Sequence, residues 1–445
     1  MAETHFQESS TPLYCLPSLF HYLLLLCLSL KKKIERKKKS NRDMDSTSPP
    51  QWSSLPSDLL FNIASILGTR IDLLSLRAVC NSWRSSLSLP PKTPLVKLPF
   101  PIDPNNPNLN PNRHGHFALS ESFSYSLEPI NRDPKRTWLI KIQESESGNV
   151  ILKDPLARHP LAGLDRLPKV LNLLDYRVKE ISKGYYVEFV EQGKAPYPSI
   201  FVNEMKSCIS IKQVAVSSSF DKIGDDGFVV MVIYNGGKLA LWRMGDDKWS
   251  SVNDILEGYV YDSVAYSNGK FFAIDVNGLT ISIDPAKASF EIMEVAPAEP
   301  RSGFGHGDKF KYLVKWFSDL FLIEKYHEDL FYWSESDDED DYHIKFKIYK
   351  MNEEECDWVE MDGLKDAVLF LGDGCSFFVW AKDFAWWKGN CICFLNYLFM
   401  GAGGDGPGPK AGIFDFEDGI SRKLSKFSSC SKLFWPPPSW LKHYP

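Results

Sequence analysis

A chain of 445 residues with 44% apolar and 13% aromatic residues can fill the cores of two or three domains, which excludes wholesale disorder. Its formal charge of −6 is uneven: residues 1–43 hold eight Lys/Arg against four Asp/Glu, so the body after them is acidic. An acidic body lacks the clustered basic side chains that nucleic-acid phosphates require, and nucleic acid is excluded as a partner.

Residues 13–30 form an apolar run broken by Pro17 and His21, and a Lys-rich block, "KKKIERKKK", follows at 31–39. A secretory signal has the reverse order, with its positive charge before the apolar run. The run is at the short limit for a membrane span, and its basic flank would hold everything downstream in the cytosol. From Met44 onward the chain reads "MDSTSPPQWSSLPSDLL", a natural soluble start. Residues 1–43 are therefore read as a non-globular extension ahead of Met44, with membrane anchoring through 13–30 as the alternative. Nine cysteines, an odd number without framework spacing, fit reduced thiols of the cytoplasm or nucleus. Cys391-Ile-Cys393 is not a CxxC pair and has no His/Cys partners nearby, so no metal is expected.

The next segment, "SSLPSDLLFNIASIL" (53–67), predicts an amphipathic helix. Pro56 suits its first position and Asp58 complements the helix dipole. Leu59, Leu60, Ile63, Ile66 and Leu67 recur at helical spacing, and Gly68 is a stop. Asp72 can cap a second helix, whose apolar face is Leu76, Val79, Cys80, Trp83 and Leu87, with a bend at Asn81-Ser82. Pro90-Pro91 closes the segment. Forty residues, Trp52–Pro91, without disulfide or metal make a marginal unit that cannot bury all of these leucines internally. The pattern predicts docking, either on another protein or on the rest of the chain.

The same residues resemble an F-box: Leu55-Pro56, an amphipathic helix, then "Leu-Arg-x-Val-Cys-x-x-Trp" at 76–83. The resemblance spans about residues 50–91. It implies binding to the Skp-type adaptor of a Skp–cullin–F-box ubiquitin ligase, and through it to the cullin scaffold. Leu55, Pro56, Leu59, Leu60, Ile63, Leu74, Leu76, Val79 and Trp83 are then adaptor-facing or module-core residues.

Residues 99–115, "PFPIDPNNPNLNPNRHG", are too rich in Pro and Asn for helix or central strand and read as an exposed loop. Beyond them the apolar runs become short, β-branched and aromatic. "GFVVMVIYNGGKLALWRMGDDKWSSV" reads as strands joined by turns at Asn235-Gly236-Gly237 and Gly245-Asp246-Asp247. "YDSVAYSNGKFFAIDVNGLTISID" repeats the pattern with Asn268-Gly269 and Asn277-Gly278. "HIKFKIYKMNEEECDWVEM" and "AGIFDFEDGISRKL" continue it. Antiparallel meanders of this size without intervening helices predict a β-propeller, with a sandwich as runner-up.

Several stretches, among them "KLALWRMGDDKWSSV", "DLFLIEKY" and "FLGDGCSF", resemble the C-terminal region of a plant F-box family whose β-propeller was long described as a domain of unknown function. The expected fold is mainly β: a short all-α F-box module followed by an antiparallel β-propeller over residues 95–430. The implied role is recruitment of an unknown target protein for ubiquitination. A propeller-based scaffold without a ligase role and a membrane-anchored variant are the alternatives.

No catalytic constellation emerges, so the chain is read as a non-enzyme without cofactor. "GAGGDG" (401–406) satisfies GxGxxG, but Pro407 and Pro409 forbid the helix such a fingerprint must open. "SESDDEDD" (334–341) lacks calcium-loop spacing and reads as a solvated acidic loop. In "FFVWAKDFAWWKG", Trp386 and Trp387 cannot both point inward from one strand, because side chains alternate. They are the candidate target-contact residues.

Overall fold

The computed structural model describes residues 52–67, 70–87, 96–99, 115–130, 137–144, 150–157, 176–191, 210–217, 227–252, 258–286, 291–296, 309–327, 341–342, 344–384, 388–396, 411–424 and 433. Two compact units divide the chain: one includes residues 57–66 and 76–87, and the other holds every sheet.

The helices are α1 (Ser57–Leu67), α2 (Arg70–Val79) and α3 (Asn81–Ser86). Pro56 precedes α1, and its carbonyl accepts the Leu60 N–H at 3.2 Å, so it stands one position earlier than expected. Asp72 lies inside the first turn of α2, where it complements the dipole, and does not cap it. The expected bend is a break between two helices. Cys80, in extended conformation, caps α3 by accepting the Trp83 N–H on Sγ at 3.4 Å. Arg77 donates to the carbonyls of Arg84 (3.0 Å) and Leu87 at the end of α3.

Five sheets make up the rest. The first holds β1 (Val96–Leu98), β2 (Gly115–Pro129), β3 (Trp138–Glu144), β4 (Val150–Lys153) and β5 (Tyr176–Glu191), with β1 and β3 pairing to successive stretches of β2 and β5 running along its whole length. The second is a meander of β6 (Ile211–Val216), β7 (Val229–Tyr234), β8 (Lys238–Arg243) and β9 (Ser250–Ser251). The third repeats it with β10 (Tyr261–Ser267), β11 (Lys270–Asp275), β12 (Thr280–Ile283) and β13 (Ile292–Ala296). The fourth has β14 (Phe310–Trp316) and β15 (Asp319–His327). The chain then lends β16 (Asp341–Tyr342) to the fifth sheet before completing the fourth with β17 (Ile344–Asn352) and β18 (Asp357–Met361). The fifth also contains β19 (Ala367–Leu371), β20 (Phe377–Trp380), β21 (Cys391–Leu395), β22 (Ala411–Asp415) and β23 (Ile420–Lys423).

Turn chemistry places these strands as expected. Asn235 and Asn268 take φ of 41° and 48°, each followed by a positive-φ glycine, as tight hairpins demand. One pairing departs from the antiparallel pattern. The β19–β20 hairpin occupies one edge of β19, and β21 runs parallel to β19 on the other.

The sheets pack face to face in a ring. Leu98, Phe117 and Leu119 of the first sheet meet Val230, Val232 and Trp242 of the second. Met231, Ile233 and Leu241 on the opposite face of the second meet Tyr261, Phe271 and Ile281 of the third. Ile274 and Phe272 of the third meet Leu320 and Leu322 of the fourth. Phe321 and Ile323 of the fourth then meet Leu369, Phe378 and Ile392 of the fifth. Phe370, Phe377 and Cys393 of the fifth close the circle on Leu139 and Leu156 of the first. Alternate residues of one strand thus serve two interfaces, which is why "VVMVIY" of β7 is apolar throughout and fully buried. The result is a five-bladed antiparallel propeller with Cys391 and Cys393 as core thiols.

Ring closure also uses backbone. The Asp373 N–H donates to Leu156 O at 2.7 Å and the Leu139 N–H to Leu433 O at 2.9 Å. At Gly372 a Cβ would lie 2.4 Å from Leu156 O and 2.9 Å from Leu156 Cα. Gly372→Ala must therefore push the fifth sheet from the first. We expect a loss of about 1–3 kcal/mol, read as a lower denaturant midpoint; an unchanged midpoint would show that the closure relaxes freely.

Candidate functional site

Two surfaces carry the functional argument, and the first is the helical module. Leu60, Leu76 and Trp83 are buried, together with Leu87. Leu55, Ile63 and Leu74 are half-buried, and Pro56 is exposed. Leu59 is 49% exposed and Val79 57% exposed. Phe61, which the sequence reading passed over, is 56% exposed. The nine expected residues thus divide into an internal set and an outward set. Leu59 and Ile63, four apart on α1, share a face. The signal for Phe61 was its place beside Leu60, since neighbours on a helix point about 100° apart. Trp386 and Trp387 lie outside the described residues, as do the leader, the 100–114 loop, the acidic run at 334–340 and "GAGGDG". The other aromatics of that stretch, Phe377, Phe378 and Phe384, are core, and Trp380 is half-buried against Trp316 at 4.6 Å between ring centroids.

The second surface is a cavity of about 800 Å³ in the propeller. It is bordered by the first residues of β6, β10 and β14, the end of β15 and the loop after β19. Polar side chains stitch the innermost strands of neighbouring blades, whose backbones are not paired with each other. Gln213 Oε1 accepts from Ser263 Oγ at 3.0 Å and from the Val264 N–H at 3.1 Å, while its Nε2 donates to Val264 O at 2.9 Å. Ser263 Oγ accepts the Leu313 N–H at 2.9 Å. Asp262 is held between Lys212 Nζ at 2.7 Å and the Lys311 N–H at 3.2 Å. Lys311 and Glu324, directly opposite across β14 and β15, form a buried ion pair at 3.1 Å.

Lys325 is different. It is 9% exposed, lines the cavity, and makes one long hydrogen bond, to Leu395 O at 3.5 Å. Its ammonium stands 5.4 Å from the Phe394 ring centroid. Among the described residues no carboxylate lies within ion-pair distance of it. Burial lowers its pKa to about 8, with Asp373 only partly offsetting the effect. Tyr312, on the adjacent strand, keeps its proton well above the usual range because it is buried and near Asp373 and Asp262. Among the described residues no group of three or more His, Cys, Asp or Glu could hold a metal, and no helix is long and apolar enough to cross a membrane.

These two parts define an F-box module joined to a propeller, and the comparisons agree. An F-box-like family model matches residues 52–90, and the KIB1-4 beta-propeller family model matches residues 122–415. "F-box protein SKIP23" of Arabidopsis thaliana is 31% identical over 415 residues, covering 88% of this chain and 95% of that protein. "F-box protein At2g17036" and "Putative F-box protein At5g60060" of the same plant are 28% and 31% identical, covering 88% and 76% of this chain. The chain belongs to the plant F-box proteins with a KIB1-4 beta-propeller.

The lone buried ammonium has a consequence for stability. Folding depresses the Lys325 pKa from 10.5 to about 8, so between these values the unfolded chain binds more protons. Stability from this group is lowest below pH 8 and recovers as pH rises to 10.5. Lys325→Met should therefore be more stable than wild type at pH 7 by an amount on the order of 3 kcal/mol. That advantage should vanish towards pH 10.5. Chemical denaturation across pH measures it, and a destabilised variant at pH 7 would contradict it.

Proposed function

We propose that this chain is the target-recruiting subunit of a Skp–cullin–F-box ubiquitin ligase. Its family membership supports an adaptor role in general, and the chain supplies placement rather than a nucleophile. The observation that carries the reading is the exposure of large apolar side chains, Leu59 and Val79, on a module whose interior is already filled by Leu60, Leu76 and Trp83. These exposed apolar residues, with Pro56 and the half-buried Leu55 and Ile63 of the same unit, are our candidates for contacting a Skp-type adaptor, and Leu74 is a further candidate. The propeller presents a target protein, and Trp386 and Trp387 are our candidates for contacting it. Bringing the target beside the ubiquitin-transferring machinery raises its effective concentration, which is all the catalysis this subunit needs to provide.

The outward and inward sets give separable tests. Leu59→Glu combined with Val79→Glu puts charge on the exposed surface and should leave unfolding within about 0.5 kcal/mol of wild type. The same variant should weaken co-purification with a Skp-type adaptor by about 2 kcal/mol or more, roughly thirtyfold. Undiminished adaptor binding would refute this face as the contact. Leu60→Ala should instead destabilise the module itself, by about 2–5 kcal/mol, as seen in proteolysis of the helical segment.

A further inference from the structure

We propose that the propeller cavity is a binding site for a carboxylate, with Lys325 as its counter-ion. The source of the carboxylate is a free organic acid or the side chain of an acidic residue. The inference uses propeller groups alone, so a failure of adaptor binding leaves it standing.

The cavity's charges are the starting point. Of the acidic groups around it, Asp262 is already answered by Lys212 and by the Lys311 N–H, and Asp373 lies near Lys325 without an ion pair to it. Glu324, on the other face of β15, is answered by Lys311. Lys325 is the cation left over: more than nine-tenths buried, facing the cavity, with a single hydrogen bond at the limit of length. A buried ammonium normally has a carboxylate partner, since desolvation otherwise favours its neutral form. Mutation could remove the cost without touching the blade packing, because the stem of a Met would fill the same strand position.

The ligand's class follows from what surrounds that ammonium. Asp373 faces it from the loop after β19, Tyr312 from β14 and His327 from its own strand, with Asp262 and Lys212 further around the cavity. With Asp373 nearby, one ammonium accommodates a single added negative charge better than two. A phosphate dianion would leave the pocket with excess negative charge, and a cation would oppose Lys325 directly. Tyr312 stays protonated and can donate a second hydrogen bond. Phe310 and Leu395 add apolar wall to the same cavity. Its volume, about 800 Å³, is of the size that small molecules or one inserted side chain occupy.

The test reads Lys325 itself in the full-length chain. A neutral acylating reagent attacks only the unprotonated amine, so peptide mass spectrometry of timed labelling near pH 8 reports the free-base fraction at each lysine. A carboxylate bound to Lys325 raises its pKa by about one unit, which slows labelling at pH 8 about fivefold. Glutaramate, the monoanionic half-amide, and the capped tripeptide acetyl-Gly-Glu-Gly-amide are the probes, glutaramide is the neutral control, and exposed Lys270 is the internal reference. We expect slower labelling of Lys325, but not of Lys270, with one or both carboxylates and not with glutaramide. Protection by glutaramate alone identifies a free acid as the source, and protection by the peptide alone identifies an acidic side chain. Equal labelling with and without both carboxylates at their solubility limits would overturn the proposal, as would equal protection by glutaramide. As a second measurement, equilibrium dialysis of the protecting carboxylate should show binding to wild type and at least about a tenfold loss in Lys325→Gln. Undiminished binding to that variant would also overturn it.

Discussion

Everything in the propeller depends on closing a ring of five sheets by side-chain packing. Each sheet packs on a neighbour through each of its two faces, which favours apolar side chains on both sides of its central strands. β7 shows this plainly, with Val230 and Val232 turned to the first sheet and Met231 and Ile233 to the third. The last contact is the decisive one, because Leu139 and Leu156 must fit against Phe370, Phe377 and Cys393 after the other four interfaces have set the geometry. At that seam the backbones approach so closely that Gly372 has no room for a Cβ.

Closure has a price at the axis. The innermost strands converge there without forming a common backbone ladder, so their polar groups need other partners. Gln213, Ser263 and Asp262 provide them between adjacent blades. The same convergence brings Lys325, Tyr312 and Asp373 around one cavity from three separate elements. The loop that completes the seam, Gly372 to Ser376, also borders the cavity. The contact that holds the ring together therefore also shapes the pocket.

The helical module follows another logic. Three short helices enclose only a few large side chains, and among the described residues Leu60, Leu76, Trp83 and Leu87 are buried. Leu59 and Val79 remain in solvent because so small a unit has more apolar surface than interior. In the propeller, by contrast, surplus apolar surface is consumed by the next blade. The difference in size explains why one part leaves Leu59, Phe61 and Val79 in solvent while the other buries its apolar strands between blades.

Much of this was written in local sequence. Helical spacing at 59–67, the Asn-Gly pairs at 235–236 and 268–269, and the strand runs each act through neighbours in the chain, so they could be read one segment at a time. Leu55-Pro56 and the run to Trp83 marked the F-box for the same reason. Other features had no local signature. Phe317 takes φ of 54° in the β14–β15 hairpin while 71% exposed, at a turn that Asn and Gly would have announced. The parallel β19–β21 pair, and β16 reaching past its own blade to β23, are choices of edge made by the assembled sheet. The division of Leu59 from Leu60 needed the module's interior, and the number of blades needed the ring to close. Above all, a lysine in "FLIEKYH" looks like any strand lysine. Only the tertiary structure decided that this one would lose its water without gaining a carboxylate, because its neighbours at the axis come from strands far away in sequence.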